Sequence, residues 1–536
     1  MSSAKDNTQG GADAALPVRF TDFVERHAAA TPDKPALVSE RETVTYREFA
    51  LRVRACEAAL LASGVQRGDR VALMAGPSPD FWIWFLASCG IGAIWVGLNP
   101  RYTRAELSYV IGNAEPSHIL SISRFEGRDY ADDLGYLRRE HECLREIVAL
   151  DGDMVGALPV DVFLKRGQEL SDASRESAHA EVRAMDPALI VYTSGSTGKP
   201  KGAMLSHFGL CYTCMAQVRR FDVSDLKLIC FFPINHVGGT ADTCGNVLVA
   251  GGTARFQSRF DSAAALSLIR KGEANMLMGV PTMIQMIMGE PDFTPEDFRN
   301  LEFILWGGAA LPADYVKTLS GLGVRMATLW GLTEATTNVT FTEEGASEEI
   351  LCSTVGKPLP EFELRLLHAT GRPCTAGEEG EFQVRGDYCM LGYWQNEQAS
   401  KEAFTEDGWM KTGDLGRLRE DGNIVFVSRI KEMFKSGGYN VYPREIEATI
   451  EEHPVVQMAV VVSAPHPLFQ EVGVAFVQPA PGTELTPEEL KDFCRERLAN
   501  YKVPKRFVIC SQFPMLPIGK VDRSGLAKRA GELDLA

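Results

Sequence analysis

Residues 192–202, YTSGSTGKPKG, crowd hydroxyls, glycines and two lysines into one short stretch. Glycines let backbone N–H groups turn toward an anion, hydroxyls add neutral donors and lysines add charge, so this stretch has the ingredients of an anion cradle. It is not a Walker loop. That motif needs four residues between its glycines and a Ser or Thr after its lysine, whereas here only two residues separate Gly195 from Gly198 and Pro200 follows Lys199. A plain polar turn is the bland alternative, though it would not call for two lysines bracketing a proline. Other reactive groups are scattered downstream: His236 in FPINHVGG, Glu334 in WGLTEA, Asp414 in TGDLG, Arg429 in SRIKE and Lys520 in PIGK. Taken singly, each has an ordinary reading: a packed histidine, a solvated carboxylate or a surface cation. Cys211 and Cys214 form the chain's CxxC, with no second pair or nearby histidine pattern to complete a zinc site, so helix packing explains them better.

The elements that must position these groups follow from periodicity. Residues 45–64 carry apolar side chains at helical spacing, and RGDRVALMAG after them reads as turn then strand. Short β-branched or apolar runs (ALIVYT, LKLICFF, ANMLMGV, LEFILWGG, VRMATLWG) alternate with helical stretches, which predicts an α/β fold of parallel sheets covered by helices on both faces. From about Ser353 the rhythm changes to short strands with turn signals, a β-rich subdomain. After Arg429 a smaller α+β unit is expected: a strand-and-turn pair around FKSGGYNVYP, a helix opening at Pro443, the strands QMAVVVSAP and EVGVAFVQP, and an amphipathic helix in TPEELKDFCRERL. The expected organisation is a loose tail over residues 1–18, a large doubly wound α/β domain over 19–428, a boundary at 429–432 and a small domain over 433–536.

The stretches lie in an order that resembles the adenylate-forming (AMP-binding) superfamily, of the acyl- and aryl-CoA synthetase type. TSGSTGKPKG is similar to its phosphate-binding signature, FPINHVGG to its aromatic/His motif, WGGAA (residues 306–310) to its adenine-side turn, and WGLTEA to its Tyr-Gly-x-Thr-Glu motif. GEFQVRG with LGYW, DGWMKTGDLG, SRIKEMFKSGGYNVYPREIE and LPIGKVDR follow, so the resemblance runs from about Tyr46 to Leu526.

What the resemblance implies is a ligase that activates a carboxylic acid with ATP and Mg²⁺, holds an acyl-adenylate and passes the acyl group to CoA. It places Thr193, Ser194, Ser196, Thr197 and Lys201, on a backbone eased by Gly195 and Gly198, around the β- and γ-phosphates. Thr333 is set toward the α-phosphate and Glu334 toward Mg²⁺. Gly308, Ala309 and Ala310 would admit adenine, with Trp330 and Gly331 beside it and Trp330 offering a flat face. Asp414 would accept from both ribose hydroxyls, with Arg429 as an added donor. Lys520 matches the mobile lysine that stabilises the adenylation transition state, although Met515 and Leu516 depart from the usual residues before it. Lys431 stands at the hinge position of a two-pose mechanism, and Ser436, Gly437 and Gly438 would flank the CoA thiol channel. His236, Val237 and Gly238 would line the acyl pocket, His236 gating it rather than transferring protons, and Asn235 replaces the aromatic usually found before that histidine.

Composition narrows the partners. With 45% hydrophobic residues the 536-residue chain can bury large cores, and a formal charge of −16 argues against a general nucleic-acid or membrane-surface binder. CoA phosphates would need a local basic patch, for which the C-terminal excess of Lys502, Lys505, Arg506, Lys520, Arg523, Lys528 and Arg529 is a candidate. FWIWFLASCGIGAIWVGL (residues 81–98) is uncharged but broken by glycines, so a buried helix-then-strand is expected instead of a membrane span; peripheral membrane contact and a homodimer stay open. Dispersed cysteines and an N-terminus without a signal-peptide layout point to the cytoplasm. The methionine-rich run NMLMGVPTMIQMIMG is expected to be core packing first and pocket lining second.

The substrate expected is a fatty, alicyclic or aromatic acid. A competing reading is an adenylating enzyme that loads a carrier protein, which the absence of a carrier domain after Leu535 disfavours. A luciferase-like oxidation is disfavoured by the non-peroxisomal LDLA end. A catalytically silent nucleotide-binding protein would be expected to have lost Lys520, Asp414 or Glu334, and all three are present.

Overall fold

The computed structural model describes residues 18–193, 199–436, 439–516 and 520–533. Local signals start the helices where the sequence places them. Helix Tyr46–Ala62 opens on a reciprocal Thr45/Glu48 capping box, and Pro487–Arg497 opens on the same device from Thr486 and Glu489. The uncharged stretch folds as helix Pro79–Gly90, capped by Ser78, followed by strand Ile94–Leu98, with every residue of both buried except Asp80 in the helix's first turn. No helix among the described residues is long and apolar enough to cross a membrane.

Two large sheets carry the first part of the chain. In the nine-stranded sheet, Met276–Gly279, Phe303–Gly307 and Arg325–Gly331 run parallel side by side. The expected parallel sheets carry antiparallel strands at their edges: Asn338–Phe341 pairs antiparallel with Arg325–Gly331, and Thr43–Thr45 pairs antiparallel with Pro35–Val38. In the eight-stranded sheet, Ile94–Leu98 lies parallel to both Arg70–Met74 and Pro187–Thr193, and Pro187–Thr193 turns back antiparallel into Lys201–Ser206. Mixed edges on a parallel centre are common in large sheets, because an edge strand has one free side and no helical crossover to accommodate.

The β-rich part is a four-stranded antiparallel sheet of Glu363–Leu367, Glu379–Arg385, Met410–Leu418 and Ile424–Arg429. Among the described residues the strands from Phe434 onward pair with one another in a sheet of their own: Phe434–Ser436, Tyr439–Val441, Val456–His466, Gln470–Pro479 and Arg506–Ile509. They enclose their own core around Phe434, Ile446, Val461, Val477 and Leu490. The methionine run is core packing in its main part, as expected: Met276 and Met278 are core and Met283 packs with Ile284 and Ile287 in a second cluster, while Met286 is half exposed. Cys211 and Cys214 are buried free thiols on helix His207–Phe221.

Candidate active site

The candidate residues meet at the carboxyl ends of the parallel strands, where open α/β sheets bind ligands. Strand Phe303–Gly307 ends in exposed Gly308, Ala309 and Ala310. Gly308 has φ +80°, and a Cβ there would lie 3.2 Å from Lys520 Cε and 3.5 Å from Lys520 Nζ. Backbone and lysine therefore approach as closely as a glycine permits. The neighbouring strand Arg325–Gly331 delivers Trp330 and Gly331, then a short 3₁₀ turn holds Thr333 and Glu334. Thr336, just after it, keeps φ +69°, which is strained for a β-branched residue. The strain is held by its hydroxyl donating to the Tyr388 carbonyl.

Asp414 enters from the four-stranded sheet, whose register pairs it directly with Arg429. Its carboxylate is 2% exposed. Oδ2 accepts from Trp330 Nε1 at 2.8 Å, while Oδ1, 3.2 Å from Arg429 Nε, lacks an aligned donor. Burial raises its pKa, against the pull of Arg429 and the indole N–H. A buried acceptor without a donor is costly unless a ligand supplies one, and a hydroxyl would. The expectation that Trp330 offers an open face is narrowed here: the ring is buried, stacks on Phe382 at 4.4 Å and turns its polar edge to Asp414.

Lys520 is solvent-accessible within a crowded cleft. That crowding lowers its pKa, and Arg429 lowers it further, while Asp414 opposes both. Its loop is closed by backbone contacts in place of the motif residues missing before it: Met515 bridges to Val521 through two hydrogen bonds, Leu516 N donating to Lys520 O at 2.6 Å and Asp522 N donating to Pro514 O at 2.8 Å.

His236 lies across the cleft. Its Nδ1 accepts the Gly238 N–H at 3.0 Å, which assigns the proton of the neutral ring to Nε2. Burial, then the Lys520 charge, lower its pKa to about 4, so the ring is neutral at physiological pH. Val237 is buried in the main core, and Gly238 opens a π-helix that runs to Gly245. Asn235, in place of an aromatic, donates to Tyr102 Oη at 2.9 Å.

On the phosphate-loop side, Ser194, Gly195, Ser196, Thr197 and Gly198 lie outside the described residues, as do Gly437 and Gly438. What flanks the loop is a hairpin: Thr193 pairs with Lys201 across antiparallel strands. The loop thus joins strand to strand, whereas a Walker loop joins strand to helix. Thr193 Oγ1 and Tyr393 Oη both donate to Glu334 Oε1, at 3.3 and 2.9 Å, leaving Oε2 without a partner among the described residues. Lys201 Nζ sits over the Tyr393 ring at 5.2 Å. Tyr393, which orients Glu334, had no role assigned from sequence, although it belongs to the LGYW stretch. No group of three or more His, Cys, Asp or Glu side chains gathers for a metal among the described residues. One carboxylate is nonetheless enough for Mg²⁺, which commonly keeps waters and takes its other ligands from substrate phosphates.

Lys431 lies in a turn, with Glu432 N and Met433 N both bonded to Arg429 O, and Ser436 is buried at a strand end. The C-terminal basic excess is not one free patch: Lys502 pairs with Glu445, Arg523 with Glu447, Lys505 lies over Phe469 and Arg529 over Phe476.

Comparison with known proteins gives this geometry a family. The sequence model described as AMP-binding enzyme matches residues 24–394, and that of the AMP-binding enzyme C-terminal domain matches residues 445–520. A feruloyl-CoA synthase from an Amycolatopsis species is 33% identical over 509 residues, covering 94% of this chain and 98% of the relative. The medium-chain acyl-CoA ligase ACSF2 of Danio rerio is 30% identical over 535 residues, covering 94% and 86%. The crystal structure of ATP-bound MatB from Rhodopseudomonas palustris superposes with a TM-score of 0.81 at 29% identity, covering 96% of this chain and 99% of that one. The chain belongs to the AMP-binding, adenylate-forming enzyme family, and within it to the AMP-forming acid–thiol ligases of the acyl-CoA synthetase type.

Proposed function

We propose that the enzyme activates a carboxylic acid with an apolar fatty, alicyclic or aromatic body and transfers it to CoA. The observation that carries this reading is the convergence of Lys520, the open Gly308 turn and the donor-less Asp414 Oδ1 at one strand-end cleft. In the first step a carboxylate oxygen of the acid bonds to the α-phosphorus of ATP, and pyrophosphate leaves. Lys520 holds its proton beside the forming bond and offsets the charge shared by acid and phosphate. Asp414 Oδ1 accepts a ribose hydroxyl, Arg429 adds a donor, and Gly308, Ala309 and Ala310 leave room for adenine. Thr333 bonds the α-phosphate, and Thr193, Lys201 and the loop between them cradle the departing phosphates.

Glu334, aimed by Tyr393 and Thr193, would hold Mg²⁺, whose charge counters that of the phosphates. In the second step the CoA sulfur bonds to the acyl carbon, AMP leaves and the thiol proton passes to solvent. Neutral His236 lines the acyl site and takes no proton. The small domain turns about Lys431 between the steps, withdrawing Lys520 and presenting the Ser436 strand end.

The test is a panel of carboxylic acids assayed with ATP, Mg²⁺ and CoA for AMP release and for the acyl-CoA itself. Thioester formation with at least one acid of this class is expected. Pyrophosphate exchange without CoA turnover, relieved by adding a carrier protein, would instead make the acceptor a carrier.

A further inference from the structure

Behind His236 the π-helix Gly238–Gly245 meets strand Asn338–Phe341 through a buried polar cluster that the reaction above does not use. Asp242 Oδ1 accepts from Asn338 Nδ2 at 2.9 Å and from Gln217 Nε2 at 3.4 Å. Gln217 also donates to Thr337 Oγ1, and its Oε1 accepts from Asn246 and Asn338, both at 3.3 Å. Gln217 is thereby saturated.

The cluster nevertheless stops short of completion. Asp242 Oδ2 and Asn338 Oδ1 have no partner among the described residues, and Asn246 Oδ1 is buried without one. Gln217, Thr243 and Asn246 are fully enclosed, yet Asp242 keeps 8% and Asn338 7% of their surface accessible. A purely structural tie would pair both carboxylate oxygens, because an unmet acceptor in a low-dielectric interior is expensive. Two unpaired oxygens on residues that keep some accessible surface mark the wall of a crevice.

That crevice adjoins the reaction centre on two sides. Gly331 pairs with Asn338 across the strands, and a Cβ on Gly331 would lie 2.5 Å from Asn338 Cα. On the other side the Asp242 helix starts at Gly238, whose N–H is held by the His236 ring, and Thr243 Oγ1 ties back to Gly238 O at 2.8 Å. Among the described residues no Lys, Arg or His is hydrogen-bonded or ion-paired to Asp242, and burial raises its pKa to about 7.

We propose that the inner end of the acyl site is polar, and that Asp242 Oδ2 and Asn338 Oδ1 hydrogen-bond a hydroxyl at the far end of the substrate acid. The inference rests on the acid-activating reading above and sharpens its substrate to an apolar body with a hydroxyl end. Asn338 Oδ1 only accepts, whereas Asp242 Oδ2 accepts when ionised and carries the proton when neutral, so the ligand group must be able both to donate and to accept. A hydroxyl does both without bringing a charge into a cluster that has no counter-charge to spare. A site built to bond a hydroxyl discriminates strongly against the analogue lacking it, because the buried polar groups then stay unmet.

The experiment compares pairs of acids of equal length and ring content that end in methyl or hydroxyl, scoring pyrophosphate release and CoA thioester separately. For the wild-type enzyme a preference of at least ~10-fold in kcat/KM for the hydroxyl member is expected. Asn338→Ala and Asp242→Ala should each shrink that ratio to below about 3-fold. Melting curves identify a variant that does not fold, and the wild-type ratio decides in either case. Equal or better turnover of the methyl acids by the wild type overturns the proposal, even if CoA thioesters form normally. A hydroxyl preference in pyrophosphate release without any CoA thioester would keep the proposal and overturn the CoA reading instead.

Discussion

Asp414 and Lys520 face the same cleft but are held in opposite ways. Asp414 is enclosed within a sheet, pinned by the Trp330 indole and paired in register with Arg429. Lys520 stands at the end of a loop closed by two backbone hydrogen bonds, and its charge meets the large domain beside a glycine turn. The first arrangement suits a group that must stay on the nucleotide through both half-reactions. The second suits a charge needed for one of them and then withdrawn, because few contacts have to break.

The sharpest way to break this contrast is Lys520→Ala. Adenylation, read as pyrophosphate exchange, should fall about 10²–10³-fold, as when one oxyanion donor is removed, while thioester formation from supplied acyl-adenylate changes little. Equal losses in both assays would make Lys520 a fixed residue like Asp414. Asp414→Ala should reduce both half-reactions, by roughly 10-fold or more, and lower the melting temperature, since it strands the buried indole N–H at a cost of about 1–3 kcal/mol. A loss confined to adenylation would mean that Asp414 releases the nucleotide between steps.

Trp330→Phe sharpens the comparison from the other partner. It removes one hydrogen bond from Asp414 and should raise the KM for ATP by about 3- to 10-fold with a smaller change in kcat, a bond's worth of about 1 kcal/mol. A larger fall in kcat than in affinity would assign the indole to the transition state.

The smallest effect concerns the enclosed half alone. The folded-state pKa of Asp242, raised to about 7, exceeds the ordinary carboxyl value of about 4. Its contribution to stability is therefore fully present below about pH 4 and is lost as pH rises through about 7. In Asp242→Asn this dependence should vanish, so the melting difference between wild type and variant should change by about 1 °C per pH unit between pH 5 and 7. Parallel melting curves across that range would place the Asp242 proton elsewhere.

Local signals were legible where they are self-contained. The Thr45/Glu48 box begins a helix whether or not anything packs on it, and alternating apolar runs named the parallel strands. The π-helix was not legible: GGTADTCG is glycine- and threonine-rich with no helical stripe, and it packs against helix His207–Phe221 and strand Lys227–Cys230, which are contacts only the fold supplies. Nor was the covered Trp330 face, because Phe382 lies 52 residues away, a neighbour only once the four-stranded sheet docks. Tyr393 escaped notice for the same reason, 59 residues from the Glu334 it orients.

What the chain determined by itself is the order of its motifs, hence the family, the chemistry and the identity of Glu334, Asp414 and Lys520 as the groups to watch. What only the tertiary structure decided is which polar groups are left unmet. Asp242 and Asn338 stand 96 residues apart, one on a helix and one on a strand. Whether their open oxygens are solvated, paired or aimed into a pocket depends on strand register and on what else is buried with them. Hydrogen-bond satisfaction is a property of the packed whole, and no local stretch of sequence carries it.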